Sequence, residues 1–107
     1  MSHVTTHVLD SSVGRPASGI GVELQDHEGR TLATGVTDAD GRVAILGPDV
    51  LEPGAYRLVF ATASYFAATG TPTFYPRVTL DFTVVDGAHY HVPLLLSPFA
   101  YSTYRGS

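Results

Sequence analysis

Short runs of β-branched and aromatic residues alternate with polar positions along the chain, and Gly or Pro separates one run from the next. Alternation with a period of two is typical of half-buried strands, and turn residues at regular intervals indicate a sandwich or a barrel. One short helix is expected over residues 61–68. The pattern predicts eight strands, near Val4–Leu9, Gly21–Leu24, Thr31–Thr37, Val43–Leu46, Ala55–Ala61, Arg77–Val85, His89–Leu96 and Ser102–Arg105. The expected fold class is therefore all-β, an antiparallel β-sandwich.

The 107 residues contain no repeat, linker or low-complexity segment, so a single domain over residues 1–107 is expected. Gly14–Ala17, directly after the first strand, is interpreted as a tight turn. Glycine supplies the unusual backbone dihedral angle there, and proline restricts the next one.

Alternation also predicts which side chains share a face of a strand. On the first strand, His7 shares a face with Thr5 and Leu9. On the seventh strand, one face is expected to pack in the core and the other to carry His91. The expected core residues are Tyr90, Val92, Leu94 and Leu96. The opposite face carries His89, His91, Pro93 and Leu95. If the two strands are neighbours, His7 and His91 line one outer surface. That surface would carry few charges, so we expect a second subunit to cover it.

Composition excludes several classes of function. The chain has no Cys, and its six basic residues are all Arg, scattered between positions 15 and 105 in a chain of net charge −4. Nucleic acid and anionic membrane partners both require clustered positive charge, so neither is expected. No apolar stretch is long enough for a transmembrane helix, and the N-terminus has no signal-peptide pattern, so we expect a cytoplasmic protein.

Histidines and one arginine provide two candidate chemistries. His89 and His91 project side by side on a strand, and with His7 they could bind Zn²⁺. Alternatively, His7 or His91 acts as a general base toward water while Arg42 binds and polarises a planar substrate. Both have structural alternatives, because Arg42 could pair with an aspartate of the preceding turn, and His7 could be an ordinary hydrogen-bonded strand residue.

The C-terminus, Tyr104-Arg105-Gly106-Ser107, is a third candidate. A strand with two tyrosines runs almost to the end of the chain, which leaves Arg105 and the Ser107 hydroxyl and carboxylate near its pairing partner. The alternative is an ordinary frayed terminus.

Five blocks of sequence resemble one family in the same order along the chain: His7–Asp10, Gly14–Ala17, Thr37–Arg42, His89–Pro98 and Tyr104–Ser107. They resemble the hydroxyisourate hydrolases, the enzymatic branch of the transthyretin-like proteins. The middle of the chain is typical of many β-sandwich modules, whereas the two ends are much more specific. The hormone-carrying transthyretins replace these end motifs, so the resemblance favours an enzyme over a carrier.

The resemblance implies a transthyretin (prealbumin)-like sandwich of two four-stranded sheets, assembled as a homotetramer with active sites at the dimer–dimer interface. It implies hydrolysis of the small molecule 5-hydroxyisourate to 2-oxo-4-hydroxy-4-carboxy-5-ureidoimidazoline, in urate degradation within purine catabolism. No metal and no organic cofactor are implied. The implied catalytic residues are His7, Arg42, His91 and Ser107, and the implied substrate-binding residues are Tyr104, Arg105 and Gly106. His89 has no assigned role, and a non-enzymatic small-molecule carrier on the same scaffold is the alternative function.

Overall fold

The computed structural model describes residues 2–107 and shows two packed sheets with one short helix. Within that range there are nine strands and one helix, in chain order β1 (Val4–Asp10), β2 (Arg15–Pro16), β3 (Gly21–Asp26), β4 (Thr31–Val36), β5 (Arg42–Val43), β6 (Gly54–Phe60), α1 (Thr62–Ala67), β7 (Val78–Val84), β8 (Tyr90–Ser97) and β9 (Ala100–Thr103). The predicted all-β class and the helix are confirmed. Most strand ends lie within one or two residues of the predicted ones.

The first sheet has the order β2-β1-β8-β9, with β5 also pairing with β1, and the second has the order β4-β3-β6-β7. All pairs are antiparallel except the central pair of the first sheet, β1 and β8, which is parallel. The expectation of a purely antiparallel sandwich is therefore wrong for this one pair. Alternation along a strand is the same for both directions, so periodicity alone does not distinguish them.

The first sheet has five strands rather than the expected four, because two short strands share one edge of β1. The segment interpreted as a tight turn contains β2, whose Arg15 pairs with Asp10. Gly14, at φ 67°, makes the turn that precedes this strand. The predicted strand Val43–Leu46 is reduced to β5. The Ser2 hydroxyl bonds the Ala44 carbonyl and accepts from the Leu46 amide, so this backbone leaves the sheet.

The core lies between the inner faces of the two sheets. On β8, Tyr90, Val92, Leu94 and Leu96 are buried as alternation predicted, and Leu58 and Phe60 of β6 are fully buried with them. Full burial of each such side chain contributes about 1.5–3 kcal/mol. This burial fixes which side of β8 faces outward, and therefore where His91 lies.

The register of the parallel pair confirms the predicted shared face. Thr5 lies opposite His91, His7 opposite Pro93, and Leu9 opposite Leu95. All of these positions project from the outer surface of the first sheet. His7 and His91 consequently stand on one surface, with ring centroids 6.5 Å apart.

The helix α1 is anchored to the far end of β1. The Tyr65 hydroxyl donates to the buried Asp10 carboxylate over 2.6 Å. Burial, together with this bond, raises the pKa of Tyr65 to about 12. Burial also opposes ionisation of Asp10, but hydrogen bonds from Ser12 and Tyr65 outweigh it and lower the pKa of that carboxyl. Within residues 2–107, no helix is long and apolar enough to cross a membrane.

Gly41 connects the β4–β5 turn to β1. Its φ of 75° favours glycine, its carbonyl accepts from the Val8 amide over 2.7 Å, and a Cβ at this position would overlap the Val8 carbonyl oxygen. Gly29, in the β3–β4 hairpin, has a comparable φ of 84° with open space around its missing Cβ. The two glycines therefore differ mainly in how closely neighbouring backbone approaches them.

We predict that Gly29→Ala lowers the free energy of unfolding by about 1 kcal/mol, through backbone strain alone. Gly41→Ala should lower it by about 3 kcal/mol, because the overlap with β1 adds to the same strain. Urea unfolding followed by circular dichroism measures both variants. Equal losses would show that the close approach of Gly41 to β1 does not stabilise the fold.

Candidate active site

A cavity of about 490 Å³ opens on the outer face of the first sheet, beside the parallel pair. Six of the seven predicted site residues line it, namely His7, Arg42, His91, Tyr104, Gly106 and Ser107. Thr5 and His89 also contribute to its wall. Strands β1, β5 and β8 and the C-terminal segment thus converge on one space.

His7 is held on β1 by the turn that precedes β5. Its Nε2 lies 2.8 Å from the Asp40 carbonyl oxygen, which can only accept, so Nε2 carries the hydrogen. In the neutral ring, Nδ1 is then the basic nitrogen. The Asp38 carboxylate fixes this turn by accepting from the backbone amides of Asp40 and Arg42. His7 is therefore a hydrogen-bonded strand residue, which was the alternative expected from the sequence. Its Nδ1 can nevertheless still act as a base.

Arg42 is exposed and lies opposite His7 in the β1–β5 pair. Asp38 binds its backbone amide rather than its guanidinium. Between residues 2 and 107, the guanidinium forms no ion pair with Asp38 or Asp40, the alternative that the sequence left open. Its charge therefore remains available to the cavity and to the nearby imidazoles.

His91 is half-buried on β8, and its Nδ1 lies 2.9 Å from the Thr5 hydroxyl oxygen. Burial lowers the pKa of His91, and the positive charge of Arg42 lowers it further, because both disfavour the imidazolium form. The ring is therefore neutral at pH 7. Because Nδ1 faces Thr5, Nε2 is the ring nitrogen left for a ligand in the cavity.

The C-terminal segment packs directly against His91. The Gly106 amide donates to the His91 carbonyl over 2.8 Å, which continues the pairing beyond the end of β9 at Thr103. A Cβ at Gly106 would lie 2.7 Å from His91 Cδ2, so only glycine allows this approach. The C-terminal segment is therefore hydrogen-bonded to β8 and forms one wall of the cavity. It is not a frayed terminus, which was the alternative.

Arg105 is the predicted site residue that the fold places elsewhere. Its guanidinium lies 4.3 Å from the centre of the Tyr90 ring, beside a separate cavity between β7 and β9. Such a cation–π contact contributes about 0.5–1 kcal/mol at an exposed site. Within one chain, Arg105 therefore anchors the C-terminal segment to the sandwich and does not line the histidine cavity.

The predicted zinc ligands do not converge on a common point. No group of three His, Asp or Glu side chains in residues 2–107 has the arrangement of a metal site. His89 Nε2 and His91 Nδ1 instead lie 2.9 Å from the same Thr5 hydroxyl oxygen. The sequence does not single out Thr5, because its position opposite His91 depends on the register of the parallel pair.

Comparison with known proteins places this chain in a family. Residues 4–106 match the profile of the HIUase/Transthyretin family. A curated relative from Caulobacter vibrioides, named 5-hydroxyisourate hydrolase, is 47% identical over the full length of both chains.

Solved structures with the same fold come from both branches of this family. The 5-hydroxyisourate hydrolase of Klebsiella pneumoniae superposes with a TM-score of 0.90 at 42% identity, covering 97% of this chain and 98% of the other. A sea bream transthyretin in complex with thyroxine has a TM-score of 0.89 at 31% identity, over 96% of this chain and 93% of the other. The chain described here belongs to the HIUase/Transthyretin family.

Proposed function

We propose that this chain, as a single domain of residues 1–107, hydrolyses 5-hydroxyisourate to 2-oxo-4-hydroxy-4-carboxy-5-ureidoimidazoline in urate degradation. The observation that carries the proposal is the convergence of His7, Arg42 and His91 with the C-terminal wall on one cavity. The curated relatives named 5-hydroxyisourate hydrolase, at more than 40% identity over nearly the whole chain, support the same substrate.

The proposed reaction begins with water between His7 and the substrate. His7 Nδ1 accepts a proton from the water, whose oxygen attacks a ring carbonyl carbon. Arg42 stabilises the negative charge that develops on the carbonyl oxygen. When the ring C–N bond breaks, the electron pair goes to nitrogen, and His91 Nε2 supplies the proton. The product carries a new carboxylate, and no metal or organic cofactor takes part.

The C-terminal residues complete the proposed pocket. Tyr104 is 58% exposed in the single chain and narrows the cavity around a flat ring. Ser107 provides a hydroxyl and a carboxylate that orient the polar edge of the substrate. Gly106 binds the substrate through its backbone carbonyl, since its amide is bonded to the His91 carbonyl. Arg105 supports binding indirectly in this proposal, through its contact with Tyr90.

We further propose a cytoplasmic homotetramer in which dimers meet over this cavity. Every residue of β9 is exposed, and among residues 2–107 one edge of this strand has no pairing partner. Ile45, next to Ala44 of the cavity wall, is 80% exposed. Burial of these groups against a second subunit would close the cavity to bulk water.

A non-enzymatic carrier is the alternative, since the scaffold also resembles a transthyretin that was solved with thyroxine. A carrier needs a complementary cavity but no basic nitrogen and no charge aimed at a reacting atom. Three features favour the hydrolase: the basic Nδ1 of His7, the neutral ring of His91, and the guanidinium of Arg42, which forms no ion pair within residues 2–107.

We predict that the protein accelerates the decay of freshly generated 5-hydroxyisourate, measured by ultraviolet absorbance against a protein-free control. Incubation with EDTA should leave the rate unchanged, because histidine and arginine side chains supply the chemistry. Decay at the spontaneous rate would overturn the hydrolase proposal. Loss of activity in EDTA with recovery in Zn²⁺ would replace it with a metal-dependent mechanism.

We predict that Arg42→Gln raises the pKa of His91, measured by NMR titration of the ring protons. The guanidinium disfavours the imidazolium, so its removal makes protonation easier and decreases the neutral fraction at pH 6. Burial remains, so the pKa should stay below its ordinary value of 6.5. Arg30→Gln, in the distant β3–β4 hairpin, is the matched control. An unchanged or lowered His91 pKa in Arg42→Gln would contradict this account of the site.

A further inference from the structure

The Thr5 hydroxyl lies between two imidazole rings. Its oxygen is 2.9 Å from His89 Nε2 and 2.9 Å from His91 Nδ1, and the two rings stack with centroids 6.4 Å apart. Thr5 is only 8% exposed. Its hydroxyl has no other hydrogen-bond partner among residues 2–107. The hydroxyl hydrogen must therefore point to one of the two rings, because an unpaired buried donor is costly.

Each direction of that hydrogen fixes the state of both rings. If Thr5 donates to His91 Nδ1, the neutral His91 carries its hydrogen on Nε2 and presents a donor to the cavity. His89 Nε2 then donates to the Thr5 oxygen. If Thr5 donates instead to His89 Nε2, His91 Nδ1 donates to Thr5, and His91 Nε2 presents a lone pair. The tautomers of the two histidines are thus coupled through one hydroxyl.

The chain of hydrogen bonds joins two histidines of the same cavity wall. His91, Thr5 and His89 all line the cavity, Thr5 is the buried link between the two rings, and His89 is the exposed member of the three. Such an order of groups is suited to proton movement, since each group can accept at one atom while it donates at another. His7 lies outside this chain of hydrogen bonds, because its Nε2 is bound to the Asp40 backbone carbonyl.

We propose that Thr5 and His89 are positioning residues that relay a proton to His91 from water beside His89, a role that rests on the proposed hydrolysis. As His91 Nε2 gives its proton to the leaving nitrogen, Nδ1 takes the hydroxyl proton of Thr5. The Thr5 oxygen takes the Nε2 proton of His89, whose Nδ1 takes one from water. The hydroxide left by that water is neutralised by the proton that His7 took from the attacking water. All three groups end neutral, and both tautomers are reversed. In the reverse transfer, water in the emptied cavity protonates Nε2 of His91, and the proton released from Nδ1 of His89 neutralises the hydroxide that remains. This restores the first state.

Thr5→Val tests the relay, because it removes the hydroxyl and keeps the β-branched shape. We expect kcat for 5-hydroxyisourate to fall by about 100-fold, at the lower end of what a positioned acid contributes, with KM changed less than about twofold. Thr5→Ser should restore kcat to within about threefold of the wild type. Thr79→Val, at an exposed position of β7 in the second sheet, is the matched control and should leave kcat unchanged.

Ring-nitrogen NMR tests the coupling independently of activity. In Thr5→Val, the ¹⁵N shifts of both His89 and His91 should change, because each ring loses the partner that sets its tautomer, whereas Thr79→Val should change neither. If wild type is active and Thr5→Val retains its kcat, the relay is wrong and the hydrolase proposal stands. If the wild type is inactive, the hydrolase proposal fails, and the spectra then test only whether Thr5 couples the two tautomers. Unchanged ¹⁵N shifts of both rings in Thr5→Val would overturn that coupling.

Discussion

The parallel pairing of β1 with β8 is the interaction on which the rest of the site depends. It sets Thr5 opposite His91 and His7 opposite Pro93, so both histidines project from the same outer surface. The buried inner residues of the two strands hold this arrangement in place. A slip of one residue would bring the histidine face of a strand into the core, which makes the register costly to change.

Two close backbone contacts complete the cavity beside the β1–β8 pair. The turn before β5 presents the Asp40 carbonyl to His7, and Gly41 lets that turn lie against β1. At the other end of the chain, Gly106 lets the C-terminal segment lie against His91. In both places, glycine is required by the distance to a neighbouring group. The site is therefore a product of close backbone packing as much as of its charged side chains.

Much of this architecture could be predicted from sequence, because burial imposes a period of two on each strand. Alternation alone correctly predicted the core face of β8 and the outward direction of His91. It could not predict the parallel direction of the central pair, which has the same period. It also missed β2, because two residues beside a turn carry no periodic signal.

The side-chain partners were less predictable than the strands. The importance of Thr5 follows from its register with His91, a relation between positions 86 residues apart in sequence. The place of Arg105 beside Tyr90 depends on how the chain turns after β9, which no local pattern contains. The resemblance of the end motifs to a family supplied what spacing alone left open. It favoured an active-site wall over a frayed terminus.

The most direct measurement of the central claim, that the C-terminal segment and His91 form one catalytic unit, is the kcat of Gly106→Ala for 5-hydroxyisourate. The added methyl group would displace the His91 ring, and a displacement of about 1 Å from a productive geometry can cost about 100-fold in rate. Gly87→Ala has open space at its Cβ and provides the control. We predict a kcat reduced by about 100-fold in Gly106→Ala, with a melting temperature and a Gly87→Ala activity close to those of the wild type. A Gly106→Ala protein that turns over at the wild-type rate would contradict the account.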